Sequence, residues 1–192
     1  MHTRLVLASS SPYRRALLER LGLPFEVIVP SVDERELPGE TAERMALRLA
    51  ESKARAVSPS NAALVIGSDQ VAEVEGVKLG KPGDHENAVR QLRQVRGKRI
   101  VFHTAICLAN TASGRMQLAD VTTAVQFRPY TDEQIERYLV RERPYDCTGS
   151  ARIEGLGIAL IETVSSDDPT ALIGLPLMQL VTMLANEGIN AL

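Results

Sequence analysis

A short apolar run at residues 5–8 is followed directly by three serines and Pro12. The run predicts a buried strand, and the segment after it has the spacing of an amphipathic helix. Ser11 can cap that helix, Pro12 fits its first position, and Gly22 fits just past its end. The chain therefore opens as strand, loop and helix, which requires a sheet with a helix packed on it.

Apolar periodicity and turn residues predict further elements along the chain. Strands are predicted at residues 25–29, 64–67, 71–79 (a hairpin turning at Glu75 and Gly76), 99–109, 116–127 and 157–162. Helices are predicted at residues 42–57, from a cap at Asp84 to just before Gly97, after a capping box at Thr131 and Gln134, and at 176–186. Because hairpins and crossovers both occur, we expect an α/β fold with a mixed sheet. No repeat or linker divides residues 1–192, so they are predicted to form one domain.

Charge and composition exclude several classes of function. The net charge of −2 gives no broad basic surface for a nucleic acid polymer. No apolar run approaches the length of a membrane span, and residues 5–8 are too short for the core of a signal peptide. We therefore expect a cytoplasmic protein with a small-molecule partner. The oligomeric state stays open, and a homodimer is among the arrangements considered.

The two cysteines lie far apart in sequence, and neither has a second cysteine or histidine at zinc-ligand spacing. Two reduced thiols are the favoured interpretation. His103 is predicted to be a hydrogen-bonded strand residue without a catalytic role. The segments around Asp168 and Gly174 are interpreted first as a helix start and a tight turn.

Residues 9–15 place hydroxyls, free backbone N–H groups and two guanidiniums at a predicted helix N-terminus. Such a terminus binds anions. Arg14 and Arg15 oppose the helix dipole there, so a phosphate close to Ser9 would explain their placement. The alternative, rated equal, is that Ser11 only caps the helix and the arginines face solvent.

Lys53 falls on the apolar stripe of the helix predicted at residues 42–57. A buried ammonium needs a partner. Periodicity favours a lysine that reaches solvent from the edge of the stripe or pairs with a carboxylate. The sharper hypothesis is a ligand for phosphate or carboxylate inside a cleft.

Asp69 follows the predicted strand at residues 64–67, at the sheet edge where open α/β folds gather ligands. It can take a proton from water or hold a hydrated magnesium ion, although many such aspartates only cap a turn. Asp33 and Glu34 add two loop carboxylates, for which solvation is the default interpretation and metal binding the minority one.

Three more residues suggest nucleotide recognition, although an ordinary surface or core role is commoner for each. Lys81 can reach a phosphate oxygen from the turn after the hairpin. Glu154 can accept two N–H bonds from the edge of a guanine, and Tyr13 can stack on the base. An aromatic face with a carboxylate would suit a guanine that carries positive charge.

Taken together, the motifs resemble those of the Maf family of nucleotide pyrophosphatases, in order and along nearly the whole chain. They are Ser-Ser-Ser-Pro-Tyr-Arg-Arg at 9–15, Val-Asp-Glu at 32–34, Lys53, Gly-Ser-Asp-Gln at 67–70, Gly-Lys-Pro at 80–82, Glu-Gly at 154–155 and Gly-Leu-Pro at 174–176. The resemblance implies an elongated fold with two lobes about a central cleft, shared with the inosine triphosphate pyrophosphatases. It also implies a hydrolase of phosphorus-containing anhydrides that releases pyrophosphate.

Site roles follow from the same resemblance. Asp69 is the expected general base, and a divalent metal (Mg, Mn or Co) is expected on the phosphates, held by Asp69 with Glu34. The triphosphate is expected to be held by Ser9, Arg14, Arg15, Lys53 and Lys81.

Three positions separate the subgroups of the family, and here they are Tyr13, Gln70 and Glu154. Gln70 and Glu154 resemble the group that acts on 7-methyl-GTP. Tyr13 stands where that group typically has tryptophan, and Ala105 stands where the family usually has glycine. The alternatives are a pyrophosphatase that prefers dTTP or UTP, and a nucleotide-sensing regulator of cell division without catalysis.

Overall fold

The computed structural model describes residues 4–192, which divide into two compact units. The first unit contains residues 4–70 together with His103–Val121 and Asp167–Leu192. The second unit contains Val71–Phe102 and Thr122–Ser166. Three long strands contribute residues to both units.

One seven-stranded sheet runs through the described residues in the order β2-β1-β3-β5-β6-β7, with β4 paired to β3. The strands are β1 (Arg4–Ala8), β2 (Phe25–Val27), β3 (Ala63–Val74), β4 (Val77–Leu79), β5 (Arg99–Asn110), β6 (Met116–Phe127) and β7 (Ile161–Ser166). β1 is parallel to β2 and β3, whereas the pairs β3–β4 and β6–β7 are antiparallel. The predicted α/β class with a mixed sheet is confirmed.

Five α-helices accompany the sheet within residues 4–192. They are α1 (Pro12–Glu19), α2 (Ala42–Arg55), α3 (His85–Val95), α4 (Asp132–Glu142) and α5 (Leu177–Asn186). Four of them begin after a capping residue whose side chain accepts a hydrogen bond from the backbone N–H of the residue three positions later. These capping residues are Ser11, Thr41, Asp84 and Thr131. The predicted capping box of Thr131 and Gln134 is complete. No described helix has both the length and the apolar composition that crossing a membrane requires.

The core of the first unit lies between its sheet and the helices α1 and α5. Its buried members are Leu5, Leu7, Leu17, Leu18, Leu64, Ile66, Ile106, Leu108, Leu175, Leu177, Leu180, Met183 and Leu184. Alternate residues of β1, β3 and β5 supply the sheet side, as the two-residue period of a strand requires. Burial of these side chains fixes the elements that carry the N-terminal serines.

The second unit is built on the contact between α3 and α4. Leu92 and Ile135 are fully buried, and the Tyr130 hydroxyl donates to the Leu92 carbonyl at 2.8 Å. Tyr130 also packs edge-on against Phe127, with ring centroids 6.4 Å apart. The buried tyrosine thus satisfies its polar atom while its ring fills the core.

The strand predicted to end at residue 67 continues to Val74, and this prediction was wrong in placing Asp69 after the strand. β3 includes Ser68, Asp69 and Gln70 in its middle, so the first arm of the predicted hairpin belongs to the same strand. The parallel partner β1 does end here, at the pair of Ala8 and Gly67. Polar residues continue the strand because their side chains find partners, which periodicity does not reveal.

The strand predicted at residues 157–162 was also misplaced. A short 3-10 helix, Leu156–Leu160, occupies most of that stretch, and β7 begins only at Ile161. Gly157 permits the turn, since a Cβ there would lie 2.7 Å from backbone atoms of Arg152.

The two cysteines should differ sharply in reactivity. Cys107 is fully buried in β5, and burial, helped by the negative charge of Glu51, raises the pKa of its thiol to about 12. Cys147 is partly exposed. We expect an aromatic disulfide reagent to modify one thiol per folded chain at mildly alkaline pH and two per unfolded chain, because the thiolate is the reacting form.

Spectrophotometric titration of released thiolate measures both numbers. The matched variant Cys147→Ala should remove the reaction of the folded chain, whereas Cys107→Ala should leave it intact. Fast modification of two thiols in the folded wild type would contradict this burial of Cys107.

Candidate active site

The backbone of α2 packs directly on β3 at Gly67. A Cβ at this position would lie 2.7 Å from the amide nitrogen of Ala54 and closer still to the carbonyl oxygen of Ala50. Any side chain would therefore push the helix away from the strand. Glycine at this position allows the close approach, which places Lys53, between Ala50 and Ala54, beside the residues that follow Gly67.

The side chains of Lys53 on α2 and Asp69 on β3 form an ion pair at this contact. The Lys53 Nζ atom lies 2.6 Å from Oδ1 of Asp69 and 2.7 Å from Oε1 of Glu34. The side chains of Lys53 and Asp69 are 8% and 11% exposed, whereas that of Glu34 is 59% exposed. The prediction that Lys53 pairs with a carboxylate is confirmed, and its ammonium joins a buried acid to one open to solvent.

Arg14 brings a second cation to the same carboxylates. Its Nε donates to the carbonyl oxygen of Gly174 at 2.8 Å. Burial lowers the pKa of Arg14, and the negative charges of Asp69 and Glu34 oppose that shift. Asp69 and Glu34 therefore bind the Lys53 ammonium directly and act on the Arg14 guanidinium through their charge.

The two arginines of the N-terminal loop, Arg14 and Arg15, lie in different environments. Arg15 is exposed, and its Nε donates to Glu19 at 2.9 Å along α1. Ser9 is buried, and its hydroxyl accepts the backbone N–H of Ser11 at 3.1 Å. The loop is thus ordered around Ser9 with Arg14 turned inward, and a role of Ser9 or Arg15 in phosphate binding stays a prediction.

Gln70 fixes the 3-10 helix Ala171–Ile173 through its side-chain amide. Its Nε2 lies 3.1 Å from the carbonyl oxygens of Ala171 and Leu172 and 3.0 Å from the hydroxyl of Thr104. Thr104 also donates to the Ala171 carbonyl at 3.0 Å. Sequence analysis assigned Gln70 to base recognition, and the structure shows that its amide nitrogen is engaged within its own unit.

Ser68 binds the carbonyl of Gly174, just after the same segment. Its hydroxyl lies 2.8 Å from the carbonyl oxygen of Ala105 and 3.0 Å from that of Gly174. The carbonyl oxygen of Gly174 therefore accepts hydrogen bonds from both Ser68 and Arg14. Ser68 was not among the predicted site residues, and its signal in the sequence was a hydroxyl next to Asp69 within the motif at 67–70.

Asp168 binds the start of α5 through its carboxylate, in line with the predicted role at a helix start. The carboxylate is buried and accepts from the backbone N–H of Met178 at 2.7 Å and from the Thr170 hydroxyl at 2.7 Å. Thr170 in turn accepts the backbone N–H of Leu177 at 2.8 Å. This network satisfies N–H groups at the start of the helix. It also fixes the residues on either side of the segment that Gln70 and Ser68 bind.

Two predicted site residues belong to the second unit. Lys81 is exposed just after β4, and Glu154 is exposed in the loop before Leu156–Leu160. Glu142 fixes that loop by accepting from the backbone N–H of Leu156 at 2.8 Å. Their roles stay predictions, as does base stacking by Tyr13, which is half-buried on α1.

His103 is a paired strand histidine, as predicted. Its Nδ1 lies 2.7 Å from Oδ2 of Asp120, and both side chains are largely buried. Burial raises the pKa of Asp120, and the hydrogen bond and charge of His103 oppose that shift.

Comparison with known proteins identifies the family. The profile of the family described as Maf-like protein matches residues 4–187. The chain belongs to the Maf family. The match covers nearly all of the chain, and both the Lys53–Asp69 pair and the loop at Glu154 lie inside it.

Curated relatives named 7-methyl-GTP pyrophosphatase resemble this Maf protein along almost its full length. The protein of Paraburkholderia xenovorans is 58% identical over 189 residues, which cover 96% of this chain and 92% of that protein. That of Thiobacillus denitrificans is 59% identical, with 98% and 94% covered. Among solved structures, the Ham1 protein of Staphylococcus aureus aligns with 66% of this chain and 73% of its own, at 20% identity and a TM-score of 0.44.

The donor atoms of this Maf protein limit the kind of metal site that it can form. Residues 4–192 contain no cluster of three or more histidine, cysteine, aspartate or glutamate side chains suited to a metal. Asp69 and Glu34 do converge, and carboxylate oxygens are the donors that magnesium prefers. The two residues therefore fit a partial shell of the kind that substrate phosphates and water complete.

The buried pair should show strong coupling in stability. Lys53→Met leaves Asp69 with an uncompensated buried charge and should lower the free energy of unfolding by about 3–5 kcal/mol. Asp69→Asn keeps Glu34 as a partner for Lys53 and should cost less. The double variant should be more stable than the sum of the two single effects predicts by at least about 1 kcal/mol.

Urea unfolding followed by circular dichroism measures all three variants. The matched control is Glu34→Gln, which removes the exposed partner and should change stability by less than about 1 kcal/mol. Additive effects of Lys53→Met and Asp69→Asn would contradict the proposed coupling.

Proposed function

We propose that this protein hydrolyses 7-methyl-GTP to 7-methyl-GMP and pyrophosphate. The curated relatives with 58% and 59% identity carry the name of that activity over nearly the full chain. The observation that carries the proposal is the buried Asp69 carboxylate, held by Lys53 and near Arg14. A carboxylate in such a position can activate water beside groups that bind phosphate.

Asp69 is the proposed general base. Lys53 binds its Oδ1, which leaves Oδ2 as the atom that orients a water and takes its proton. The water oxygen forms a bond to the alpha phosphorus while the bond from that phosphorus to the bridging oxygen of the beta phosphate breaks. Pyrophosphate leaves with the bridging oxygen, and positioning with electrostatic stabilisation supplies most of the rate enhancement.

Arg14 is the best-supported phosphate ligand of the proposal. Its Nε is anchored on Gly174, which presents the terminal nitrogens for charge-assisted bonds to phosphate oxygens. Ser9, Arg15 and Lys53 are proposed to assist from the same unit. Lys81 is included on the family resemblance.

A divalent cation is part of the proposal because Lys53 and Arg14 already interact with carboxylates. Asp69 and Glu34 compensate Lys53 and Arg14, so a bound triphosphate needs further positive charge. Asp69 and Glu34 would hold Mg, Mn or Co, and such an ion neutralises charge on the phosphates. A role in removing modified nucleotides would place the protein in the cytoplasm.

Specificity for the base is assigned to Tyr13, Gln70 and Glu154. Tyr13 would stack on the methylated guanine, whose positive charge favours an aromatic face and the Glu154 carboxylate. Because Nε2 of Gln70 is engaged with Ala171 and Leu172, its effect on specificity would come through the placement of that segment.

Asp69→Asn should abolish turnover while nucleotide binding persists. Loss of the base should lower kcat by roughly 10²–10⁴-fold, because general base catalysis typically contributes that much. Pyrophosphate release and equilibrium binding of 7-methyl-GTP measure the two properties separately. The matched control is Asp33→Asn, whose exposed carboxylate pairs with Arg35.

Full turnover of a folded Asp69→Asn variant would reject Asp69 as the base. Nucleotide binding by the wild type without pyrophosphate release, in magnesium, manganese and cobalt alike, would instead favour the nucleotide-sensing regulator.

Glu154→Gln tests the base preference. Removal of the negative charge should lower kcat/KM for 7-methyl-GTP by about tenfold or more relative to UTP and dTTP, because a charged hydrogen bond to the base is lost. Glu133→Gln, an exposed change on α4, is the matched control. An unchanged ratio of kcat/KM values would remove Glu154 from the specificity assignment.

A further inference from the structure

A cavity of about 490 Å³ lies entirely within the second unit. Its wall is formed by the segment just after β6, one face of α4 and the 3-10 helix Leu156–Leu160 with the start of β7. The lining residues that matter here are Arg128, Arg137, Arg141, Tyr130, Tyr138 and Leu156. None of them belongs to the proposed hydrolytic machinery.

The cavity is positively charged in a protein whose net charge is −2. Three arginines line it, and Glu162 is the one carboxylate among the lining residues. Within the described part of the chain, the structure shows no ion pair for Arg137 or Arg141. Nearby arginines of the same unit do have carboxylate partners; for example, Arg93 binds Asp132 at 2.8 Å.

The arginines are spaced for an anion. Arg137 and Arg141 lie four residues apart on α4, which brings their Cβ atoms to about 6 Å from each other on the same helix face. Arg128 is held in place because its Nε donates to the Ile161 carbonyl at 2.9 Å. Guanidiniums at this spacing can each donate to oxygens of one phosphate group or of two linked ones.

The rest of the wall favours a flat apolar group. The hydroxyls of Tyr130 and Tyr138 are engaged elsewhere, with the Leu92 carbonyl at 2.8 Å and the Arg152 amide at 2.9 Å. The two tyrosines are 5% and 3% exposed, so the small surface that they add to the cavity is aromatic carbon. Leu156 and Leu160 add aliphatic surface.

We propose that this cavity is a second ligand site, which binds a mononucleotide through its phosphate and its base. Arg137 and Arg141 bind the phosphate, and the base lies against the tyrosine and leucine side chains. The volume is within the range of small-molecule sites. This site stands independently of the proposed hydrolysis, because it shares no residue with it.

The test is a titration of the ¹⁵N-labelled wild-type protein with GMP, followed by NMR of the backbone amides. Saturable shifts are expected at α4 and at residues 156–162. Arg137→Gln/Arg141→Gln should weaken GMP binding at these amides by about tenfold or more, since charge-assisted bonds to phosphate are lost, and should leave kcat for triphosphate hydrolysis unchanged.

The matched control is Arg99→Gln/Arg143→Gln, which removes two exposed arginines of the same unit and should leave the affinity unchanged. Inorganic phosphate and guanosine, each alone, should bind more weakly than GMP. The proposal is overturned by the absence of saturable shifts at the cavity, by an equal loss of affinity in the control variant, or by phosphate binding as tightly as GMP. Failure of hydrolysis would not alter these shifts, so the two proposals are tested separately.

Discussion

The packing of α2 directly against β3 at Gly67 is the constraint on which the candidate active site depends. It removes the space that a side chain would normally occupy between helix and strand. In return, it brings a lysine of the helix within 2.6 Å of an aspartate of the strand. Burying two charges is costly, and their attraction offsets that cost only when the geometry is good. The backbone contact provides this geometry before any ligand is present.

Glu34 and Arg14 extend the pair into a group of four charges with one solvent-exposed member. The exposed position of Glu34 means that its charge is screened by water, whereas Asp69 and Lys53 depend on each other. The Lys53 ammonium binds both acids, so the Asp69 carboxylate is oriented by a cation and not by a proton shared with Glu34. That arrangement favours a base that acts on water over a pair of acids sharing a proton.

Much of this organisation was accessible from the sequence, because it rests on local patterns. The apolar stripe of α2 predicted a buried Lys53, and side-chain caps predicted the starts of α1, α3 and α4. The continuation of β3 through Asp69 was not accessible, because Ser68 and Gln70 beside it bind carbonyl and hydroxyl oxygens that lie 34 to 106 residues away in the chain. The 3-10 helix before β7 was missed because its apolar residues are equally typical of a short strand.

The segment Ala171–Ile173 is held through its backbone as well as through apolar packing. Gln70, Thr104 and Ser68 bind the carbonyls of residues 171, 172 and 174, and Thr170 binds that of Leu175. Ala171 is fully buried, and Ile173 packs against the core of the first unit. The backbone anchors do not depend on which side chains the segment carries, whereas the apolar packing does. Two independent sets of interactions therefore fix the position of one short segment, and loss of either set would leave the other to hold it.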